Sequence, residues 1–258
     1  MTTGRLKKRH GDHRPARWLA PIPRDRRPRR FGQLLLGLLL YGVTMALMVR
    51  SVLGLDPWDV FHQGLTRLLA RAGSPLSYGT VITGVSVLVL LLWIPLRQRP
   101  GLGTVANAAI IGWTTDLTLA VVPAPHAWAA RIAVLVLAVL GNALAGALYL
   151  GAGLGPGPRD GLMTGLVARA ARSRAAGGRA ARWPAWIGSV RVVRTAIELG
   201  VLAVGWLLGG LVGVGTVVYA LAIGPLLHVL LPRLQVGAGP IRSNRDPART
   251  ARSARPTH

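Results

Sequence analysis

The chain has 258 residues, with 31 Lys or Arg against 8 Asp or Glu, no Cys, 33 Gly and 18 Pro. Half of it is hydrophobic and only 15% is charged, where a soluble domain carries about 25% charged residues. The charge is basic and gathered in blocks between apolar runs of about 20 residues, which excludes a soluble enzyme and a disulfide scaffold and points to an all-α membrane protein.

Residues 1–30 hold 11 Lys/Arg and two Asp, and residues 233–258 hold six Arg and one Asp. Rich in Pro, Arg, Ala and Gly, both segments read as disordered, basic cytoplasmic tails. Their expected contact is with the anionic headgroups of the lipid bilayer, not with nucleic acid. Arg29-Arg30-Phe31 mimics an export signal, but the apolar run behind it reaches Val49 and has no A-x-A site. It reads as an uncleaved first helix.

The body, 31–232, divides into six spans: Phe31–Leu53, Ser77–Leu96, Leu102–Val122, Ile132–Leu150, Val192–Leu208 and Val214–Leu231. Gly209-Gly210 to Gly215 supplies a tight turn between the last two. With both ends inside, the cytoplasmic segments 1–30, 97–101, 151–191 and 232–258 carry 26 Lys/Arg, and the opposite loops carry three, Arg67, Arg71 and Arg131. That asymmetry predicts N-in/C-in topology.

Two short helices lie between the spans, and they belong to a repeat. Leu53-Gly54-Leu55-Asp56-Pro57-Trp58-Asp59 recurs as Leu154-Gly155-Pro156-Gly157-Pro158-Arg159-Asp160, and Gly101-Leu102-Gly103-Thr104-Val105 recurs as Gly213-Val214-Gly215-Thr216-Val217. The halves 31–122 and 128–232 each read as span, short helix, span, span. Three spans per half is odd, so the second half enters the membrane inverted, as in many secondary transporters.

Pro57 and Pro158 suit the first turn of a helix, and Asp59 and Asp160 then face its positive end. The two acids read either as capping groups or as paired helix ends lining a polar pathway. Trp58 reads as an interfacial anchor. Leu65, Leu68 and Leu69 oppose Arg67 and Arg71, the pattern of an interfacial or re-entrant helix. His62 reads as a surface residue.

Ionisable groups at membrane depth are functional candidates. Arg194 and Glu198 share one face of the fifth span, read either as a helix-locking pair or as a proton- or substrate-linked site. Asp116, beside Thr114 and Thr115, either takes a partner from another helix, with Arg50 one candidate, or is neutral. Asn107 and Asn142 read as hydrogen-bonding glue between helices. No HExxH, GxSxG, P-loop, CxxC or EF-hand pattern occurs, so neither an enzyme nor a cofactor or metal is expected.

The run from Gly54 to Leu65, with Trp93 to Thr104, Gly155 to Met163 and Val190 to Leu199, resembles the YczE/YyaS/YitT family of bacterial integral membrane proteins. The resemblance covers roughly 31–232 and leaves 173–189 as an insertion. It implies a multi-pass protein of the bacterial cytoplasmic membrane, and it carries no substrate, reaction or site residues. The function expected from the inverted repeat is a small-solute transporter or permease-like protein. A non-transporting scaffold that docks a partner protein through its loop or tails is the alternative, and a second copy of the chain is a further candidate partner.

Overall fold

The computed structural model describes residues 22–23, 25–175 and 188–237, so most of both basic tails and most of the 173–189 insertion lie outside it. Among the described residues there are eight helices and no strand: α1 (Arg27–Ser51), α2 (Pro57–Arg71), α3 (Tyr78–Leu96), α4 (Leu102–Val121), α5 (Trp128–Gly151), α6 (Pro158–Ala175), α7 (Val190–Leu207) and α8 (Val214–Leu234). The chain is an all-α membrane protein. Four helices, α1, α3, α5 and α8, are long and apolar enough to cross a membrane. The other two expected spans are also helices, but α4 is diluted by Asn107, Asp116 and four threonines, and α7 carries Arg191, Arg194 and Glu198. The first helix begins at Arg27, before the expected Phe31, because Arg30 is buried and ties it inward. Its guanidinium donates to Ala152 O at 2.7 Å and pairs with Asp25 at 2.7 Å.

Helix starts keep a fixed spacing. α5 and α6 begin 101 residues after α1 and α2 (128 against 27, 158 against 57). Then α7 and α8 begin 112 residues after α3 and α4 (190 against 78, 214 against 102). The extra length falls between α6 and α7, where the insertion was expected.

The centre is the packing of α1 on α5; α4 lies on α1 and α8 on α5, while α2 rests on α3 and α7 and α6 rests on α3 and α7. Small residues permit the closest crossing, since a Cβ on Gly79 would lie 2.0 Å from Gly112 O and one on Gly112 would lie 2.3 Å from Gly79 O. That contact joins α3 to α4. The corresponding helices α7 and α8 scarcely touch, because position 191 is Arg and Gly224 faces nothing within 4 Å.

The two turns before the short helices are built alike. Gly54 and Gly155 stand at φ +125° and +126°, a conformation that L side chains rarely adopt. Gly215 N donates to Leu53 O and Gly103 N to Leu154 O, both at 2.8 Å. Each turn is thus closed by the helix start of the other half. Thr216 Oγ1 accepts from Leu55 N at 3.2 Å, whereas Pro156 has no N–H, and Thr104 Oγ1 donates to its carbonyl at 2.7 Å.

Candidate functional site

The short helices carry the polar core, because their first turns are buried and their far ends are not. Asp56 caps α2, accepting from Trp58 N at 2.9 Å and Asp59 N at 3.2 Å. Its counterpart before α6 is Gly157, so only one of the two helices has a carboxylate cap. The start of α6 is held by Trp93 of α3, whose indole N–H donates to Pro158 O at 2.9 Å. A Cβ on Gly161 would lie 1.9 Å from that ring, so only glycine admits this contact. These supports place Arg159.

Arg159 lies over two aromatic faces, its Cζ 5.8 Å from the Tyr41 ring centre and 6.0 Å from that of Trp58. It donates to Tyr41 Oη, and its Nη1 stands 3.6 Å from Asp56 Oδ1. Tyr41 meets Tyr149 edge to face at 5.9 Å, and Tyr149 donates to Asp160 Oδ2 at 2.8 Å. On the other side, Asp59 is fully buried, with His62 Nδ1 at 3.0 Å from Oδ1 and no partner for Oδ2 among the described residues. The Tyr78 hydroxyl donates to Asp59 O at 3.2 Å.

Neither Asp56 nor α2 belongs to a spanning helix. Burial pushes Asp56 up to about 6, with Asp59 adding to the shift and Arg159 opposing it. Asp59 is likewise pushed up to about 6 by burial, again against Arg159. Burial lowers His62 to about 3, which favours the neutral imidazole beside Asp59.

Two cavities adjoin this cluster. The first, of about 40 Å³, is bounded by Trp58, His62, Asn107 and Arg159, with Met45, Ile82, Val85, Val89 and Ile111 as apolar wall. The second, of about 60 Å³, is bounded by Asn142, Asp160, Arg194 and Tyr219, with Gly146, Ile223 and Leu227. Tyr41, Tyr149 and Arg159 line both and form the partition between them.

The residues singled out in the sequence are divided by the fold. Pro57, Trp58, Asp59, Pro158, Arg159 and Asp160 gather at the two buried helix starts. Arg194 borders the second cavity and pairs with Glu198 at 2.8 Å, both half-exposed. Asp116 lies apart. It accepts from Gly79 N at 2.7 Å and from the Ser77 hydroxyl at 2.5 Å, capping α3, while Arg50 turns to Leu119 O. Replacing Asp116 by Ala should therefore cost about 1–2 kcal/mol, the worth of a lost helix cap. Thermal unfolding in detergent measures it, and Asp116→Asn, which keeps an acceptor oxygen, should recover most of the loss.

Trp58 and His62 depart from their expected places at the interface and the surface; they are 6% and 5% exposed and face the first cavity. The reason is that α2 enters the protein start first, so its amphipathic pattern describes only its outer half. Sequence reading also passed over Asp56 and the tyrosines. The chain has four Tyr, and Tyr41, Tyr78, Tyr149 and Tyr219 all belong to this core. Their scarcity was the available signal. Asn142 links Thr44 at 3.1 Å to Tyr219 at 3.0 Å.

An uncharacterised protein of Haemophilus influenzae is 34% identical over 198 residues, 77% of this chain and 81% of that protein. The uncharacterised membrane protein YczE of Bacillus subtilis is 29% identical over 198 residues, 76% of this chain and 81% of that protein. No solved structure matches. Residues 28–232 match the family of unknown function DUF6198. The match takes in nearly all of the helical body, and the chain belongs to this DUF6198 family.

Proposed function

We propose that the chain is a small-solute carrier of the bacterial cytoplasmic membrane, built from two inverted repeats and exposing its central cluster to one side at a time. The observation that carries this reading is the pairing of the two cavities. Tyr41 and Met45 of the first correspond, 101 residues on, to Asn142 and Gly146 of the second. Ile82, Asn107 and Ile111 correspond, 112 residues on, to Arg194, Tyr219 and Ile223. Equivalent positions thus line two chambers, and one wall of Tyr41, Tyr149 and Arg159 parts them. Trp58 and Arg159, themselves equivalent, touch across the centre, as residues beside a pseudo-twofold axis do.

In this reading α4 and α7 also cross the bilayer, each half has three spans, and both termini are cytoplasmic. Equivalent chambers on opposed halves give one solute two routes to the same side chains, as alternating access requires. The close α3–α4 crossing and the separated α7–α8 pair put the halves in different states, and their exchange would move the opening from one side to the other. Asp116 serves the α3 start, outside the pathway.

The native lack of Cys gives a clean test. Ala70 and Ala171 are exposed and equivalent, near the outer ends of α2 and α6. In intact cells a membrane-impermeant thiol reagent should label Ala70→Cys and spare Ala171→Cys until the cells are permeabilised. Labelling of both from outside would overturn the inverted arrangement and the carrier with it. Deleting 176–187 should leave the carrier working; a function lost on that deletion, yet indifferent to Arg159, would favour a docking scaffold.

A further inference from the structure

We propose that Asp59 and His62 form a proton-binding site, loaded from the first cavity through the imidazole. Binding stands by itself; that this proton is the one the carrier couples to its solute rests on the carrier reading. The starting point is an imbalance of charge. Asp56, Asp59 and Asp160 surround the single guanidinium of Arg159, so the like charges oppose one another's ionisation. The three acids have unequal support. Asp56 accepts from two backbone N–H groups and stands 3.6 Å from Arg159, and Asp160 accepts from the Tyr149 hydroxyl. Asp59 is fully buried, and its carboxyl meets only His62, with nothing at Oδ2 among the described residues. A buried ionised oxygen without a donor is costly. A proton removes that charge and needs no room.

The groups on the packed elements leave Asp59 in this position. From α3, Tyr78 reaches its backbone carbonyl and not its carboxyl. From α6, Arg159 favours the ionised form and Asp160 opposes it. From α7, Arg191 is exposed, and Arg194 and Glu198 pair with each other. Arg67 and Arg71 lie at the exposed far end of α2. Tyr41 of α1 serves Arg159, and Tyr219 of α8 serves Asn142.

His62 supplies the route. Its Nδ1 faces Asp59 while the ring lines the first cavity, which at about 40 Å³ has room for a water or two beside Asn107 and Arg159. A hydronium ion there gives its proton to Nε2 as Nδ1 gives its own to Asp59 Oδ1. The hydronium is left as water, the imidazole stays neutral in its other tautomer, and Asp59 becomes a carboxylic acid. Its O–H then donates back to Nδ1 across the same 3.0 Å. Release retraces the path. Asp–His chains carry protons in this way inside membranes.

The test follows the infrared carbonyl stretch of protonated carboxyls in the full chain in lipid nanodiscs, with the pH lowered from about 8 to about 4. A band with its midpoint near 6 is expected, absent from Asp59→Asn. Asp56→Asn should keep the band and lower its midpoint, because a neighbouring negative charge is gone. His62→Asn keeps a donor for Oδ1 and removes the relay. The band should persist at equilibrium but rise about 100-fold more slowly after a pH jump. No band near 6, a band lost with Asp56→Asn and kept in Asp59→Asn, or an unchanged rate in His62→Asn would each overturn the inference. Coupling has its own readout. Spin labels on Leu199→Cys of α7 and Leu221→Cys of α8, both exposed, should change separation through the same pH range and fail to do so with Asp59→Asn. Titration without that change upholds the site and removes its coupling to the carrier; a change that survives Asp59→Asn upholds the exchange of states and removes the site from it.

Discussion

Arg159→Met will lower the stability of the protein by about 3–5 kcal/mol, the cost of leaving a buried charge without its partner. The length and apolar stem of the side chain are kept, so the loss is one of charge and donors. Asp56 is 1% exposed and would retain only the two backbone N–H groups at the start of α2. Asp59 and Asp160 would then share the same neighbourhood with no cation between them. The double variant Arg159→Met/Asp56→Asn tests whether the charge on Asp56 is the cause. Asparagine keeps the capping oxygen and drops the charge, so thermal unfolding should return toward the parent value. If the single variant is as stable as the parent, the Arg159–Asp56 contact at 3.6 Å is not an energetic one. If the double variant is no more stable than the single one, the charge on Asp56 is not the cause.

Gly112→Val and Gly224→Val, equivalent in the two halves, will differ by several kcal/mol. A Cβ at Gly112 falls 2.3 Å from Gly79 O and 2.4 Å from Thr83 Oγ1, so α3 must move off α4 or the pair must fail to form. A Cβ at Gly224 meets nothing within 4 Å among the described residues, and a change at such a surface costs within about 0.5 kcal/mol. The fraction of each variant that stays monodisperse after heating in detergent gives the comparison. The contrast also probes the carrier. If the halves exchange states, α7 must close on α8 as α3 closes on α4, and Gly224 is where they would meet. Gly224→Leu should then fold normally and lose solute exchange. A Gly224→Leu protein that folds and exchanges at the parent rate would mean that α7 and α8 never close.

Much of this architecture was legible because its signals are local. Apolar runs, the Gly-Pro-Asp turns and the Gly-x-Gly-Thr helix starts lie within a few residues, and every expected span and short helix has its helix. The repeat even brought Asp59 and Asp160 forward together. What escaped depends on crossings that one chain segment does not display. Tyr41 becomes polar machinery only because α1 meets α5, which sets Tyr149 against it and Arg159 above it. Asp56 looked like turn residue and is also the acid nearest Arg159. Asp116 stood out as an acid in an apolar run, but the helix start that satisfies it comes from α3, on the far side of a crossing made by two glycines.

The crossed turns also set a schedule for synthesis. Leu55 and the Thr216 hydroxyl that receives its N–H are 161 residues apart. At about 5–20 residues per second, roughly 8–30 s pass between the emergence of the first and that of the second. Through that interval the leading half is in the membrane with the backbone of its first turn unpaired, whereas the trailing turn finds Gly103 and Thr104 already waiting. The nascent chain is therefore closed last at its oldest turn, and a ribosome that stops short of Gly213 leaves behind a fragment whose polar backbone has nowhere to go.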